Sequence, residues 1–200
     1  MLKQINSNER WLVNFYQLLE TSGAEFFALL SQSTCVARVQ IELTNYFSDK
    51  SNHAWLWMQI QADLGYEMAS ADVSYLNAYL DAAELPSNSL DALAMAYIFQ
   101  KRAAKMYATH LRLEHISPAV KNTINDILVD DLSHLRRIAN GLKRMAAVLG
   151  KNTIQTTLTR YNSLDERVFA TFLREYDEQL DFIQAGEKIA NYDGALIAIR

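Results

Sequence analysis

This sequence predicts an all-α protein, a four-helix bundle made of two antiparallel hairpins joined by a long crossover, with a further C-terminal helix. Three observations predict it. Half of the 200 residues are hydrophobic, yet six Gly and two Pro are the only strong helix breakers. Apolar residues recur at helical spacing over long segments. The connections between those segments run short, long, short, which sets which helices are neighbours.

The first segment starts after the N-cap candidates Ser7 or Asn8 and runs to about Leu30. Gln32, Ser33 and Thr34 mark a turn, and the second runs from about Cys35 to Leu64, stopped by Gly65. A longer connection follows, with VSYLNAYLDAA as a short helix of its own. The third segment begins after Ser87 to Ser89 and reaches about His115, and Ser117-Pro118 opens the fourth, with Pro in the first turn. The fourth ends at Leu149-Gly150. A fifth amphipathic helix is expected over about Ser163 to Ala190, with Val168, Phe169, Phe172, Leu173, Tyr176, Leu180 and Ile183 on its apolar face. Residues 1–150 are thus read as the bundle, and 151–200 as an extension packing on it or on a partner subunit.

Composition narrows the function classes. A net charge of −4 lacks the basic excess of a nucleic-acid-binding surface. The single Cys35 excludes an internal disulfide and a Cys-rich metal site, which favours a reducing compartment. MLKQINSNER contains no apolar signal core, and no run approaches the ~18 apolar residues of a membrane span. The expectation is a cytoplasmic protein that touches neither nucleic acid nor membrane.

Polar residues interrupt each apolar stripe. In the second helix the stripe is Val39, Leu43, Tyr46, Lys50, His53, Trp57, Ile60, Leu64; in the fourth it is Val120, Ile124, Ile127, Asp131, His134, Ile138, Leu142, Met145. Both carry two polar groups one turn apart. Aligning His134 with His53 also aligns Asp130 with Asp49. Glu20 interrupts Leu12, Tyr16, Gly23, Phe27, Leu30 in the first helix, and Lys101 interrupts Leu90, Ala94, Tyr97, Ala104, Ala108, Leu111 in the third. Hairpin register brings Glu20, Lys50, His53, Lys101, Asp131 and His134 to one depth.

Over about residues 10–149 this arrangement resembles the ferritin-like di-iron or di-manganese carboxylate proteins, which use one Glu from each of two helices and Glu-x-x-His from each of the other two. The resemblance implies that Glu20, His53, Asp131 and His134 occupy metal-ligand positions. Lys50, in KSNH, and Lys101 stand where two further carboxylates belong. Four carboxylates would balance two divalent ions. Here Glu20 and Asp131 supply −2 and the two lysines +2, so the lysines read as replacements for the metals, Lys50 pairing with Glu20 and Lys101 with Asp131.

The leading expectation is therefore a ferritin-like protein with a degenerate dimetal site, a non-catalytic binding or structural module that holds no metal. The alternative implied by the resemblance is an iron- or manganese-dependent oxidase or oxygenase acting on a small molecule, its metal held by Glu20, His53, Asp131 and His134. A third reading is an unrelated bundle that oligomerises through its helical faces. Tyr16, Tyr46 and Tyr97 lie near the polar level and are expected to line a small-molecule pocket. The tryptophans read as packing, the Asp49/His53 and Asp130/His134 spacings as local helix pairs, and His110, Glu114 and His115 as a solvated helix end. A homodimer is the expected assembly.

Overall fold

The structure is a computed structural model and describes residues 2–67, 74–114 and 116–175. In chain order the helices are α1 (Leu2–Gln32), α2 (Ala37–Asp63), α3 (Ser74–Ala83), α4 (Ser89–His110), α5 (Pro118–Leu149) and α6 (Lys151–Glu175), with no strand among the described residues.

Local chemistry sets most of these bounds. Asn88 caps α4 by accepting from the Asp91 amide at 2.9 Å. Ser117 does the same for α5 with the Val120 amide, and Pro118 occupies the first turn, where its missing N–H costs nothing. Gly65 at φ +65° and Gly150 at φ +88° take the left-handed backbone that ends α2 and α5.

α1 pairs with α2 and α4 with α5 as antiparallel hairpins. Side-chain pairings fix the other two walls. Tyr16 meets His110 and Glu20 meets Tyr107, so α1 and α4 are antiparallel. Asp49 meets His134 and Asp130 meets His53, so α2 and α5 are too. Since α2 and α4 then run the same way, the segment from residue 64 to 88 must cross the length of the bundle, and α3 lies within it.

Three helix bounds differ by a turn or more from the sequence reading, and one of them is the end of α4, at His110 and not about His115. α1 begins upstream of Ser7, at Leu2. α6 begins directly after Gly150, not near Ser163. The stretch from Lys151 to Asn162 is rich in Thr and polar residues, which masks a stripe of Ile154, Leu158 and Tyr161, all buried. Tyr176, Leu180 and Ile183, with the rest of that expected helix to Ala190, lie outside the described residues.

Within the described residues α6 packs on α3 and α4. Its Asp165 is buried and accepts from the Tyr75 hydroxyl of α3 and from Arg102 of α4, whose Nε stands 3.0 Å from Oδ2. The Arg102 guanidinium also covers the Phe169 ring at 4.0 Å. Trp57 is fully buried, whereas Trp55, on the other face of α2, is 52% exposed and contributes nothing to the core. Among the described residues no helix is long and apolar enough to cross a membrane.

Candidate functional site

Midway along the bundle, where apolar side chains would pack best, the interior is polar. Lys50 projects inward from α2 with 0% of its surface exposed. Its Nζ donates to Oε1 of Glu20 at 3.0 Å and to Oδ1 and Oδ2 of Asp131 at 3.0 and 3.1 Å. One ammonium thus joins α1, α2 and α5. A desolvated charge is tolerated only with such partners, and here each of these hydrogen bonds goes to a carboxylate.

The two histidines flank this ion triad in related ways. His53 turns Nδ1 toward Oε2 of Glu20 at 3.3 Å and Nε2 toward Asp130 of α5 at 3.2 Å. His134 turns Nε2 toward Asp49 of α2 at 2.8 Å. Each histidine is therefore held by the aspartate of the opposite helix. The i, i+4 spacing within each helix is not a local pair but one half of a cross-helix exchange.

α4 completes the cluster with a residue the sequence reading passed over. Gln100 is fully buried, and its Nε2 donates to Oδ1 of Asp131 at 2.6 Å and to Nδ1 of His134 at 3.0 Å. Lys101, the expected cage residue, is only half-buried on the flank of α4, and Asp131 pairs with Lys50 instead. α4 is buried on nearly all sides from Ala92 to Gln100, so apolar periodicity gives its rotational phase poorly. A turn by one residue places Gln100, Tyr107 and His110 on the inner stripe together.

Tyr107 donates to Oε1 of Glu20 at 2.7 Å and accepts from Nε1 of Trp57 at 3.1 Å. Tyr16 stacks on Tyr107 with ring centroids 4.1 Å apart, and its hydroxyl bonds to Nδ1 of His110. His110 is fully buried, not part of a solvated helix end. Its Nε2 finds no partner among the described residues.

Electrostatics separate groups that look alike in sequence. Burial raises the Glu20 carboxyl, but Lys50, His53 and Tyr107 outweigh it and hold Glu20 down at about 2. Burial pushes Asp131 up to about 6 in spite of Lys50, because Glu20 adds a like charge. Lys50 is desolvated, yet the two carboxylates raise its pKa and keep it cationic. His53 is likewise raised against its burial by the bond to Glu20, and with a carboxylate at each ring nitrogen it suits the imidazolium. His134 is lowered to about 4, by burial first, and its Nδ1 accepts from Gln100, which requires the neutral ring. Lys50 is thus the counter-charge shared by Glu20 and Asp131, and the group that adds to it beside Glu20 is His53, with its raised pKa, and not Lys101.

No protein-family profile matches the chain, and no curated protein matches it in sequence. Its architecture does have a match among solved structures. "Protein 19 with aldehyde deformylating oxidase activity from Synechococcus" superposes with a TM-score of 0.66 over 92% of this chain and 86% of that one, at 12% identity. The chain has the ferritin-like fold.

That fold implies a dimetal centre at this depth, and the residues present do not fit one. At this depth α2 offers an ammonium and α4 a neutral amide, leaving two carboxylates that Lys50 already bridges. Among the described residues no three His, Cys, Asp or Glu side chains converge as a metal cage would require. Ligation by Glu20, His53, Asp131 and His134 would need Lys50 to withdraw and strand its charge.

Of the three tyrosines expected to line a pocket, only Tyr46 borders the cavity found between α2 and α5. Tyr16 and Tyr97 are both buried in packing, and neither lines the cavity that Tyr46 borders. Tyr46 does separate that cavity from the polar cluster, its ring centroid lying 4.4 Å from that of His134.

Proposed function

We propose that this chain is a ferritin-like binding or structural module in which a protein cation takes the place of the dimetal centre. The observation that carries the reading is the buried Lys50 ammonium, held at 3.0 Å by both Glu20 and Asp131. The sharing of one ammonium by two carboxylates, the neutral Gln100 on α4 and the carboxylates at both ring nitrogens of His53 support it. The cluster then acts as a fixed polar keystone joining all four helices, and any ligand binds elsewhere.

A second reading takes its cue from the oxidase activity named for the structural neighbour. It keeps Glu20, His53, Asp131 and His134 as ligands to iron or manganese, acting on a small molecule. Elemental analysis of protein expressed in iron- and manganese-rich medium separates the two. The module reading expects metal far below stoichiometric, and one equivalent per chain or the two of a dimetal centre would overturn it.

A further inference from the structure

A cavity of about 360 Å³ opens where the N-terminal half of α2 meets the C-terminal half of α5 and the start of α4. Its walls are apolar, with Val39, Leu93, Ile138 and Met145 among them. The apolar surface spills outward, because Val36, Val148 and Leu149 at its edge are 51%, 85% and 46% exposed. Gly141 keeps one wall open, and a Cβ there would meet Cδ1 of Leu93 at 3.4 Å, an ordinary contact.

Three arginines, Arg38, Arg137 and Arg144, line the same cavity. Among the described residues none of them has a carboxylate within ion-pair reach, although the chain as a whole is acidic. The acid in the lining, Glu42, accepts from the Tyr46 hydroxyl at 3.0 Å, and Arg137 lies over the Tyr46 ring at 5.8 Å. An apolar slot beneath unmatched guanidinium groups is chemically complementary to an amphiphile with an anionic head. The arginines meet a carboxylate in forked hydrogen bonds while the slot takes the tail out of water.

We propose that this cavity binds the carboxylate form of a medium-chain fatty acid, taken up as a free molecule, with its head at Arg38, Arg137 and Arg144 and its tail between α2 and α5. The cavity volume is at the small end of ligand pockets, which suits one acyl chain better than a partner helix. The site is separate from the lysine-filled cluster and does not depend on its reading.

Calorimetric titration of the full chain with decanoate, decanol, acetate and anionic phospholipid vesicles tests this. Decanoate is expected to bind at one site per chain, decanol at least about tenfold more weakly for want of the ionic contact, and acetate not at all. Arg137→Ala with Arg144→Ala is expected to weaken decanoate to the level of decanol. Gly141→Leu, which fills the slot and leaves the arginines, is expected to abolish binding, with thermal unfolding confirming that each variant folds. Equal affinity for decanol, unchanged binding in both variants, binding to vesicles but not to monomeric decanoate, or no decanoate binding would each overturn the proposal.

Discussion

Lys50 Nζ lies 3.0 Å from Oδ1 of Asp131, on a neighbouring helix, and both side chains are fully buried. Glu20 shares the same ammonium from a third helix. A charge held this way contributes little net stability over an apolar core, yet its partners depend on it.

Lys50→Met leaves Glu20 and Asp131 facing each other without the ammonium between them and is expected to destabilise by about 3–5 kcal/mol. The triple variant Lys50→Met, Glu20→Gln, Asp131→Asn removes all three charges and is expected to recover most of that loss. Urea denaturation measures both. A single variant within about 1 kcal/mol of the parent would show that the triad is not held as described.

If a lysine and an amide have displaced metal ligands, restoring carboxylates should restore metal binding. Lys50→Glu with Gln100→Glu is expected to bind divalent manganese or iron, detectable by calorimetry or paramagnetic resonance, whereas Lys50→Glu with Lys101→Glu gains less. Equal uptake by the two double variants would mean that Gln100 does not hold the α4 ligand position.

Acid should weaken the fold through its histidines. His110 titrates at about 3 and His134 at about 4 in the folded chain, against an ordinary 6.5, so the unfolded chain takes up two protons that the folded chain refuses. Their contribution is complete above pH 6.5 and lost as pH falls toward those values. Asp131, raised from 3.8 to about 6, works the other way, since the folded chain keeps a proton that the unfolded chain releases. Between about pH 6 and 5, before the unfolded chain also begins to protonate Glu20, the balance is one proton, or a loss of about 1.4 kcal/mol per pH unit on acidification. His110→Gln keeps a hydrogen-bonding partner for Tyr16 without titrating, and should flatten that slope by this amount. Parallel stability profiles for parent and variant would contradict the burial of a neutral His110.

α6 is tied to the bundle through Asp165. Asp165→Ala removes the acceptor of the buried Tyr75 hydroxyl and the carboxylate facing Arg102. A loss of about 1–3 kcal/mol is expected, together with faster amide hydrogen exchange in α6 than in α2 or α5. Unchanged exchange in α6 would show that its aromatic contacts suffice to dock it.

How much of this was legible before folding depended on the helix. α2 and α5 carry apolar stripes broken by Lys50 and His53 or by Asp131 and His134, and their contrast with exposed polar faces gives the phase directly. α4 has little contrast, so Gln100, Tyr107 and His110 were hidden one residue away from the stripe that pointed to Lys101, Ala108 and Leu111. The cross-helix exchange of Asp49 and Asp130 was hidden for another reason. Spacing of four within a helix is equally consistent with a local pair, and only packing of α2 on α5 decides between them. The arginine-lined cavity carried no signal, because Arg38, Arg137 and Arg144 are exposed and come from segments distant in sequence.

The most direct test of the central claim is a crystal structure of protein grown or soaked with manganese, with anomalous data collected at the bundle centre. Electron density is expected for the Lys50 amine between Glu20 and Asp131, with no anomalous peak within reach of His53 or His134. A manganese peak ligated by those residues, with the Lys50 side chain turned away, would contradict it.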